Sequence, residues 1–328
     1  MTPVEPAPEP ETTPEGTGGA GLPRVSQHRR VAALTGIVAG VVATATVVAG
    51  LALRDEPAPQ PTAAPTVEAT PTPAPVPTLA AVPAPPGPDE LAALPLAFYD
   101  AVVPQLLDDT TVTPENRWQT AAPRAPLVAL YASPDADAAP VATLGSTVPT
   151  LLTPTVTAVW GSSPGVDGGM LLVSTPARNR TPGDGGVATA PAATFGWVRA
   201  ADVTVTDVDR AVVVDTVTGL VSVTGRDGSV GASEVGRLGT PDDPTPTATE
   251  TYMAANYVDQ GIAYTQGNPI ALTGAHSPLL ASYGGNSALT ALHFYPDPTG
   301  SSHGCVRVSA AMTAALAALP VGTPVTFT

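Results

Sequence analysis

The stretch SSHGCVRVS, at residues 301–309, contains Cys305, which is the only cysteine in a chain of 328 residues. A single cysteine cannot form an intrachain disulfide, and it cannot supply the cysteine set of the usual structural zinc sites. A lone cysteine is most often a small buried hydrophobic residue. This one stands among glycine and polar residues, with His303 two positions before it, and that setting favours a nucleophilic thiol.

A cysteine nucleophile needs a base to remove its proton and hydrogen-bond donors for the oxyanion that forms on the attacked carbonyl. Gly304 lets the backbone approach a substrate closely. The backbone N–H groups around residues 303–305 are therefore candidates for an oxyanion hole. Metal binding by His293, His303 and Cys305 is a weaker alternative, because it lacks a fourth ligand and the usual ligand spacing. We expect neither a metal nor a cofactor.

The base must be one of four histidines, which are His28, His276, His293 and His303. His28 precedes a long apolar stretch that is predicted below to cross a membrane, so it would lie on the other side. Alternate residues of a strand point the same way, which brings His303 near the thiol without guaranteeing contact. The spacing alone leaves His276 and His293 open.

The segment around the cysteine lies in a region of β-type pattern, residues 208–328. Alternating apolar and polar residues flank Thr218-Gly219 and Asp227-Gly228, and this pattern predicts two consecutive hairpins. Directly after the cysteine, Ser309 can cap a helix over residues 310–319, which Pro320 ends, before a last strand at 321–327. We predict a mainly β domain with one short helix behind the cysteine.

A second β-rich region precedes it, within residues 91–207. Five short runs that read APLVALYASP, APVATLG, TPTVTAVWG, MLLVSTPA and FGWVRAADV are separated by Gly, Pro and Asp. The order of these runs, with a Gly-Trp-Val near the end, resembles bacterial SH3-like domains and implies a small barrel. The leading segment at 89–107 has helix-like apolar spacing interrupted by two prolines, and it predicts one or two short helices.

The chain begins with residues 1–30, which are polar and Pro-rich and are predicted to be disordered. Residues 31–53 are uncharged and apolar, long enough to span a bilayer. A cleaved signal peptide is the alternative, but its apolar core would be shorter and nearer the N-terminus. Arginines before the span outnumber those just after it, which predicts a cytoplasmic N-terminus and an extracytoplasmic remainder.

Residues 54–90 are rich in Pro, Ala and Thr and are predicted to form a semi-rigid spacer. The net charge of the chain is −15, and all 13 of its basic residues are arginine. Binding to nucleic acid requires a basic surface, so this composition argues against it. A membrane anchor followed by a spacer instead suits a domain that works in the cell wall.

The run Ser302-His303-Gly304-Cys305-Val306-Arg307 resembles the catalytic motif of the YkuD family of L,D-transpeptidases. The resemblance covers residues 208–328 and implies a YkuD-like β-sandwich. It extends to the closing helix, the last strand and the segment Thr245-Pro246-Thr247. An anchor, a Pro-rich spacer and a small β domain before it resemble the layout of actinobacterial members. Two positions depart from the pattern, since Phe294 and Ala248 replace common glycines.

The resemblance assigns roles to individual residues. Cys305 would be the nucleophile and His293 the general base, with His276 as a possible alternative base. His303 and Gly304 would shape the oxyanion site, and Ser302 matches the Ser or Thr of the motif. In the same way, Arg307 would hold the catalytic loop or bind a substrate carboxylate.

The activity implied by the resemblance is formation of 3→3 cross-links in peptidoglycan through a cysteine thioester. The partners would be donor and acceptor stem peptides, and carbapenem β-lactams would be covalent inhibitors. Two alternatives remain. The same thioester could be resolved by water in an L,D-carboxypeptidase or endopeptidase, or the chain could be a wall-binding module with an inactive catalytic domain.

Overall fold

The computed structural model describes residues 78–283, 287–297, 299 and 302–328. These residues belong to one compact unit, Pro73–Thr328. The predicted tail at 1–30, the predicted span at 31–53 and most of the predicted spacer lie outside the described residues. Within the described part, no helix is both long and apolar enough to cross a membrane.

A first sheet of eight strands occupies the N-terminal half of the described chain. Its strands are β1 (Leu107–Asp108), β2 (Gln119–Pro123), β3 (Leu127–Tyr131), β4 (Pro140–Gly145), β7 (Thr157–Ser163), β8 (Met170–Thr175), β9 (Thr194–Arg199) and β10 (Val203–Asp207). They follow the order β10-β2-β7-β8-β9-β3-β4, and β1 pairs with β9. Two further strands, β5 (Thr147–Val148) and β6 (Thr153–Pro154), form a separate small hairpin. Each of the five β-rich runs noted in the sequence overlaps a strand of this sheet.

The segment 89–107 is predicted to form one or two short helices, and one is observed at its start. One helix, α1 (Pro88–Ala93), is present, with Pro88 at its start and Leu94 already extended. Beyond it the chain runs beside the first sheet, where Leu96 forms a bridge with Thr143. Pro95 removes a backbone donor and disfavours helical geometry in the residue before it, so the apolar spacing after it does not produce a second helix.

The second half of the described chain forms another eight-stranded sheet. Its strands are β11 (Arg210–Val214), β12 (Leu220–Gly225), β13 (Val230–Val235), β14 (Thr249–Tyr257), β15 (Ile270–His276), β16 (Leu289–Phe294), β17 (Val306–Val308) and β18 (Pro324–Phe327). The order is β13-β12-β11-β18-β14-β15-β16-β17. Beyond β13, Arg237 pairs with Arg307 of β17, so the two ends of the sheet meet around a shared core. This mainly β architecture is consistent with a YkuD β-sandwich.

The predicted hairpins and helix of this half are confirmed. Gly219 and Gly228 have φ of 77° and 81° in the two tight turns, a conformation that glycine adopts without strain. Helix α2 (Ala310–Ala317) begins at Ser309, whose side chain accepts a hydrogen bond from the N–H of Met312 at 3.1 Å. Met312 and Leu316 then point into the core of the second sheet.

The two sheets pack against each other through a continuous apolar contact. Tyr252 of β14 lies in one buried cluster with Trp160 and Phe195 of the first sheet. Backbone hydrogen bonds cross the same boundary, including one of 2.7 Å from the N–H of His276 to the carbonyl of Ala192. The first sheet is therefore in direct contact with the strand, β15, that leads toward the cysteine site.

Candidate active site

The pairing of β16 with β17 brings the predicted base and nucleophile together. The two strands are parallel, and His293 lies opposite Arg307. Side chains alternate along a strand, so His293 and Ala291 share a face with Arg307 and Cys305. The N–H of Ala291 lies 3.4 Å from Sγ of Cys305, which fixes the thiol at this end of the pair. One register thus places three predicted site residues side by side.

A tight turn presents the cysteine. The N–H of Cys305 donates to the carbonyl of Ser302 at 3.1 Å, and the two central residues, His303 and Gly304, have φ of 54° and 81°. Positive φ at both central positions is the signature of a type I′ turn. A Cβ at Gly304 would lie 2.9 Å from the carbonyl oxygen of Pro244, so glycine is required here for space as well as for conformation.

The turn also determines which backbone groups can serve an oxyanion. The N–H of Cys305 is occupied by the carbonyl of Ser302. Among the described residues, the N–H of Gly304 has no hydrogen-bond partner. Of the donors predicted around residues 303–305, Gly304 therefore offers its N–H to a substrate, whereas Cys305 does not.

The contacts of His293 determine its tautomer. Its Nδ1 lies 2.9 Å from the carbonyl of Phe294, which can only accept, so Nδ1 carries the proton. Nε2 is then the basic nitrogen. Burial lowers the pKa of His293, as does the charge of Arg307, while the bond to Phe294 acts in the opposite direction. Because the acceptor is the backbone carbonyl of residue 294, this hydrogen bond can form with phenylalanine at that position as well as with glycine.

The Cys305 thiol is protonated at rest. Burial raises its pKa to about 11, and the negative charge of Asp243 adds to the effect, while the N–H of Ala291 and the charge of Arg307 oppose it. His293 has a lowered pKa at the same time. The resting pair is thus a neutral thiol beside a neutral imidazole, and the proton has to move when the sulfur attacks.

Asp243 is a site residue that the sequence did not reveal. The residue is only 6% exposed, and its carboxylate lies 2.9 Å from Nδ1 of His303, whose imidazole reaches solvent. This contact orients the His303 ring at the mouth of the site. The local signal was weak, because Asp243 belongs to an Asp-Asp-Pro turn 62 residues before the cysteine.

Arg307 makes the contacts of a loop-holding residue. Its Nη1 donates to the carbonyls of Thr299, at 2.6 Å, and Asp297, at 3.3 Å. Its guanidinium lies 4.0 Å from the centre of the Tyr295 ring, an arrangement that stabilises a cation on an aromatic face. The second suggested role, binding a substrate carboxylate, stays a prediction.

Two neighbouring cavities have Cys305 in their lining. Their volumes are about 340 Å³ and 280 Å³, and both are lined by Cys305, His293, Tyr264 and Tyr283. The first also contains the polar side chains of His303, Arg307 and Ser302. Ser302 is 6% exposed, and its buried Oγ has no hydrogen-bond partner in the described part of the chain.

The second cavity is lined by aromatic and aliphatic side chains together with the shared thiol and imidazole. Besides the shared residues, it includes Tyr257 from β14 and Tyr99 from the segment beside the first sheet. The sequence offered no means of assigning Tyr99 to the site, because it lies more than two hundred residues before the cysteine. The N-terminal half of the described chain thus contributes to the wall around the thiol.

His276, the suggested alternative base, is not placed to act on Cys305. It is fully buried and lines neither cavity that reaches the thiol. Its Nδ1 accepts from Nε of Arg178 at 3.0 Å, and its Nε2 donates to the carbonyl of Pro176 at 2.8 Å. Burial and then the Arg178 charge lower the pKa of His276 to about 3. With both nitrogens occupied, it cannot serve as the base.

Comparison with known protein families finds a match that covers the second β-rich half of the described chain. The profile of the YkuD L,D-transpeptidase catalytic domain matches residues 209–327. No curated protein matches the sequence. Several of the solved structures that resemble it are L,D-transpeptidases.

A mutant of the Enterococcus faecium L,D-transpeptidase is 19% identical, with a TM-score of 0.26 over 37% of this chain and 50% of that one. The Mycobacterium tuberculosis L,D-transpeptidase 1 is 18% identical, with a TM-score of 0.25 over 41% and 77%. An L,D-transpeptidase solved in complex with imipenem is 15% identical, with a TM-score of 0.30 over 48% and 91%. The chain spans about half the length of the first of these proteins.

Proposed function

We propose that the protein is an L,D-transpeptidase that cross-links peptidoglycan stem peptides through a thioester on Cys305. The observation that carries the proposal is the shared face of β16 and β17, where Cys305 and a correctly protonated His293 line the same two cavities. The match of residues 209–327 to the YkuD catalytic domain supports the same chemistry.

In the first half-reaction, Sγ of Cys305 attacks the carbonyl carbon before the terminal D-residue of a tetrapeptide stem. The thiol proton passes to Nε2 of His293, and the N–H of Gly304 donates to the oxyanion. The C–N bond then breaks, His293 returns the proton to the departing amine, and a thioester remains on Cys305.

In the second half-reaction, a side-chain amine of a neighbouring stem attacks the thioester. His293 removes a proton from that amine, the C–S bond breaks, and Cys305 regains its proton as a new amide forms. Two cavities that meet at the thiol suit a reaction in which donor and acceptor both have to reach one sulfur atom.

The direct test uses the purified full-length chain in detergent with a disaccharide tetrapeptide. We expect a mass increase on Cys305 equal to the mass of the donor minus that of the free terminal amino acid it releases, followed by cross-linked dimers. Cys305→Ala is the control and gives neither. Trimmed monomers without dimers would instead assign the hydrolytic reaction. An unmodified wild-type protein and unchanged substrate would contradict both reactions and leave the wall-binding alternative.

The proposed role of His293 gives a prediction of its own. His293→Gln removes the basic Nε2, so we expect the rate of acylation of Cys305 to fall by about 10²–10⁴-fold, the usual contribution of a general base. The measurement is the single-turnover rate of adduct formation, followed by intact mass. An unchanged rate would show that another group removes the proton.

Inhibition by carbapenems belongs to the same proposal. A strained β-lactam carbonyl would acylate the Cys305 sulfur as the stem peptide does, and opening the ring would leave a stable adduct. Incubation with imipenem should give a one-to-one adduct on the wild-type chain and none on Cys305→Ala.

The location of the protein is proposed from sequence alone. We place the N-terminus in the cytoplasm, with residues 31–53 in the membrane and the catalytic part in the cell wall, in the layout of actinobacterial members. The region at 91–207 is proposed to be SH3-like. Protease accessibility of the two ends of the chain in intact and lysed cells tests the orientation.

A further inference from the structure

Arg178 belongs to the first half of the described chain, and its buried guanidinium contacts residues of the second half. It follows β8, and its exposed fraction is 1%. Its backbone is fixed in place, since its N–H donates to the carbonyl of Ala101 and its carbonyl accepts from the N–H of Val103. The guanidinium therefore projects from a rigid base.

All of the hydrogen bonds of this guanidinium go to the last residue of β15 and the segment that follows it. Nε donates to Nδ1 of His276 at 3.0 Å. Nη2 donates to the backbone carbonyls of Ser277, at 3.3 Å, and Leu280, at 2.7 Å. One side chain thus holds the segment 276–280 at three points.

The burial of this charge is costly in itself. Among the described residues no carboxylate forms an ion pair with Arg178, and its Nη1 is buried without a hydrogen-bond partner. Burial lowers its pKa to about 10. Buried charges are normally paired, and an unpaired one calls for an explanation beyond packing.

The segment held by Arg178 leads to the cysteine site within a few residues. Ser277 Oγ accepts from the N–H groups of Leu279 and Leu280, which makes the segment a tight turn. Tyr283 comes three residues later. Its hydroxyl donates to the carbonyl of His303, at the centre of the turn that presents Cys305.

Tyr283 also touches the site in other ways. Its ring meets the His303 ring edge-on, at 5.8 Å between centroids, and it lines both cavities that reach the thiol. A change in the position of the segment 276–280 would therefore move a wall of both cavities and the hydrogen bond to the turn.

We propose that Arg178 is a positioning residue for the cysteine site, which acts by holding the segment 276–280 and so placing Tyr283 against the His303–Gly304 turn. The proposal rests on the proposed function for its catalytic consequence. It also means that the first sheet is a working part of the active site rather than an independent module.

The test compares Arg178→Met with wild type in the full-length chain by two measurements on Cys305. One is acylation by imipenem and the other is alkylation by iodoacetamide, a small neutral reagent. We expect acylation to slow by at least about tenfold, since small displacements in an active site have effects of this size. Alkylation should become several-fold faster, because the Tyr283 wall no longer shields the sulfur.

Two further variants serve as controls. Arg199→Met removes another buried arginine of the first sheet, which is 8% exposed and lies 3.9 Å from Asp167 rather than against the cysteine domain. It should leave both rates unchanged. Arg178→Lys retains a cation that can reach the backbone carbonyls but not His276 as well, and it should restore part of the acylation rate.

A double-mutant cycle with Tyr283→Ala, which removes both the ring and the hydroxyl, decides whether Arg178 acts through Tyr283. If it does, adding Arg178→Met to Tyr283→Ala changes either rate by less than about twofold, because the two residues share one effect. Additive effects, or an Arg178→Met variant that melts earlier but keeps both wild-type rates, would overturn the proposal. If Arg178→Met does not fold, the same cycle is measured with Arg178→Lys.

The two proposals fail in different ways. If imipenem never acylates wild-type Cys305, the proposed function is at fault. The alkylation cycle still tests the positioning role in that case, since it needs only a folded chain and a thiol.

Discussion

At the scale of single residues, the protonation state of Cys305 is the property with the clearest consequence. Burial raises the pKa of this thiol to about 11, so very little thiolate exists at pH 7. We expect the rate of alkylation by iodoacetamide to rise about tenfold for each pH unit from 7 to 10. Because Cys305 is the only cysteine, intact mass follows the reaction without ambiguity. A plateau below pH 8 would mean that the resting site holds a thiolate.

The neighbouring charges act on the same thiol and give a second prediction. The carboxylate of Asp243 raises the pKa of Cys305. Asp243→Asn removes that charge, so the alkylation profile should move to lower pH. Asp242→Asn makes the same substitution at the adjacent exposed aspartate, and it should leave the profile where it is. Equal profiles for wild type and Asp243→Asn would show that burial alone sets the pKa.

At the scale of secondary-structure elements, local signals were sufficient for much of the second sheet. The glycines of its first two turns and the capping serine of α2 act within a few residues, so the hairpins and the helix could be predicted. The strand geometry expected at residues 303–305 was wrong, because His303 and Gly304 lie at the centre of a turn. Of the one or two short helices predicted in residues 89–107, one forms, and Pro95 ends the helical stretch.

The parts of the site that could not be predicted are those that depend on distant elements. Asp243 reaches the site from the loop before β14, and Tyr99 reaches it from beside the first sheet. Neither residue carries a local pattern that indicates its partner. The choice between His276 and His293 was also unsettled by spacing. It depends on strand pairing, which directs one toward Cys305 and the other toward Arg178.

Ala248, just before β14, is the element-scale feature that can be tested most simply. It replaces a common glycine of the YkuD pattern, and its φ is 50°. Left-handed backbone costs an alanine about 1–2 kcal/mol. Ala248→Gly should therefore raise the free energy of unfolding by up to about 1 kcal/mol, after the extra entropy of a glycine in the unfolded chain is allowed for.

The control for this substitution is Ala311→Gly, at an exposed alanine in α2. There the backbone is helical, and the same change should lower the free energy of unfolding by about 1 kcal/mol. Denaturant unfolding of the three proteins measures both effects. A loss of stability in both variants would show that Ala248 is held without strain.

At the scale of the whole molecule, the contact between the two sheets depends on a neutral histidine. Nε of Arg178 can only donate, so Nδ1 of His276 has to accept and must be unprotonated. Nε2 then carries the proton that is donated to the carbonyl of Pro176. Protonating Nδ1 would place two donors against each other in a buried position. The junction between the sheets is therefore sensitive to acid.

This sensitivity predicts a loss of stability at low pH. Burial and the Arg178 charge lower the pKa of His276 to about 3 in the folded chain, whereas the unfolded chain retains a value near 6.5. Between these two pH values the unfolded state binds more protons, so stability falls as the pH falls, by about 1.4 kcal/mol for each pH unit from this group.

The measurement compares wild type with His276→Asn, whose amide oxygen can accept from Arg178 without titrating. Between pH 7.5 and pH 4.5 the free energy of unfolding of wild type should fall by about 2–3 kcal/mol more than that of the variant. Carboxylates such as Asp109 and Glu250, whose pKa values burial raises, titrate in both proteins and cancel in the difference. Equal losses would mean that His276 can take up a proton without disturbing the junction, in which case the hydrogen bond from Arg178 does not hold it in one tautomer.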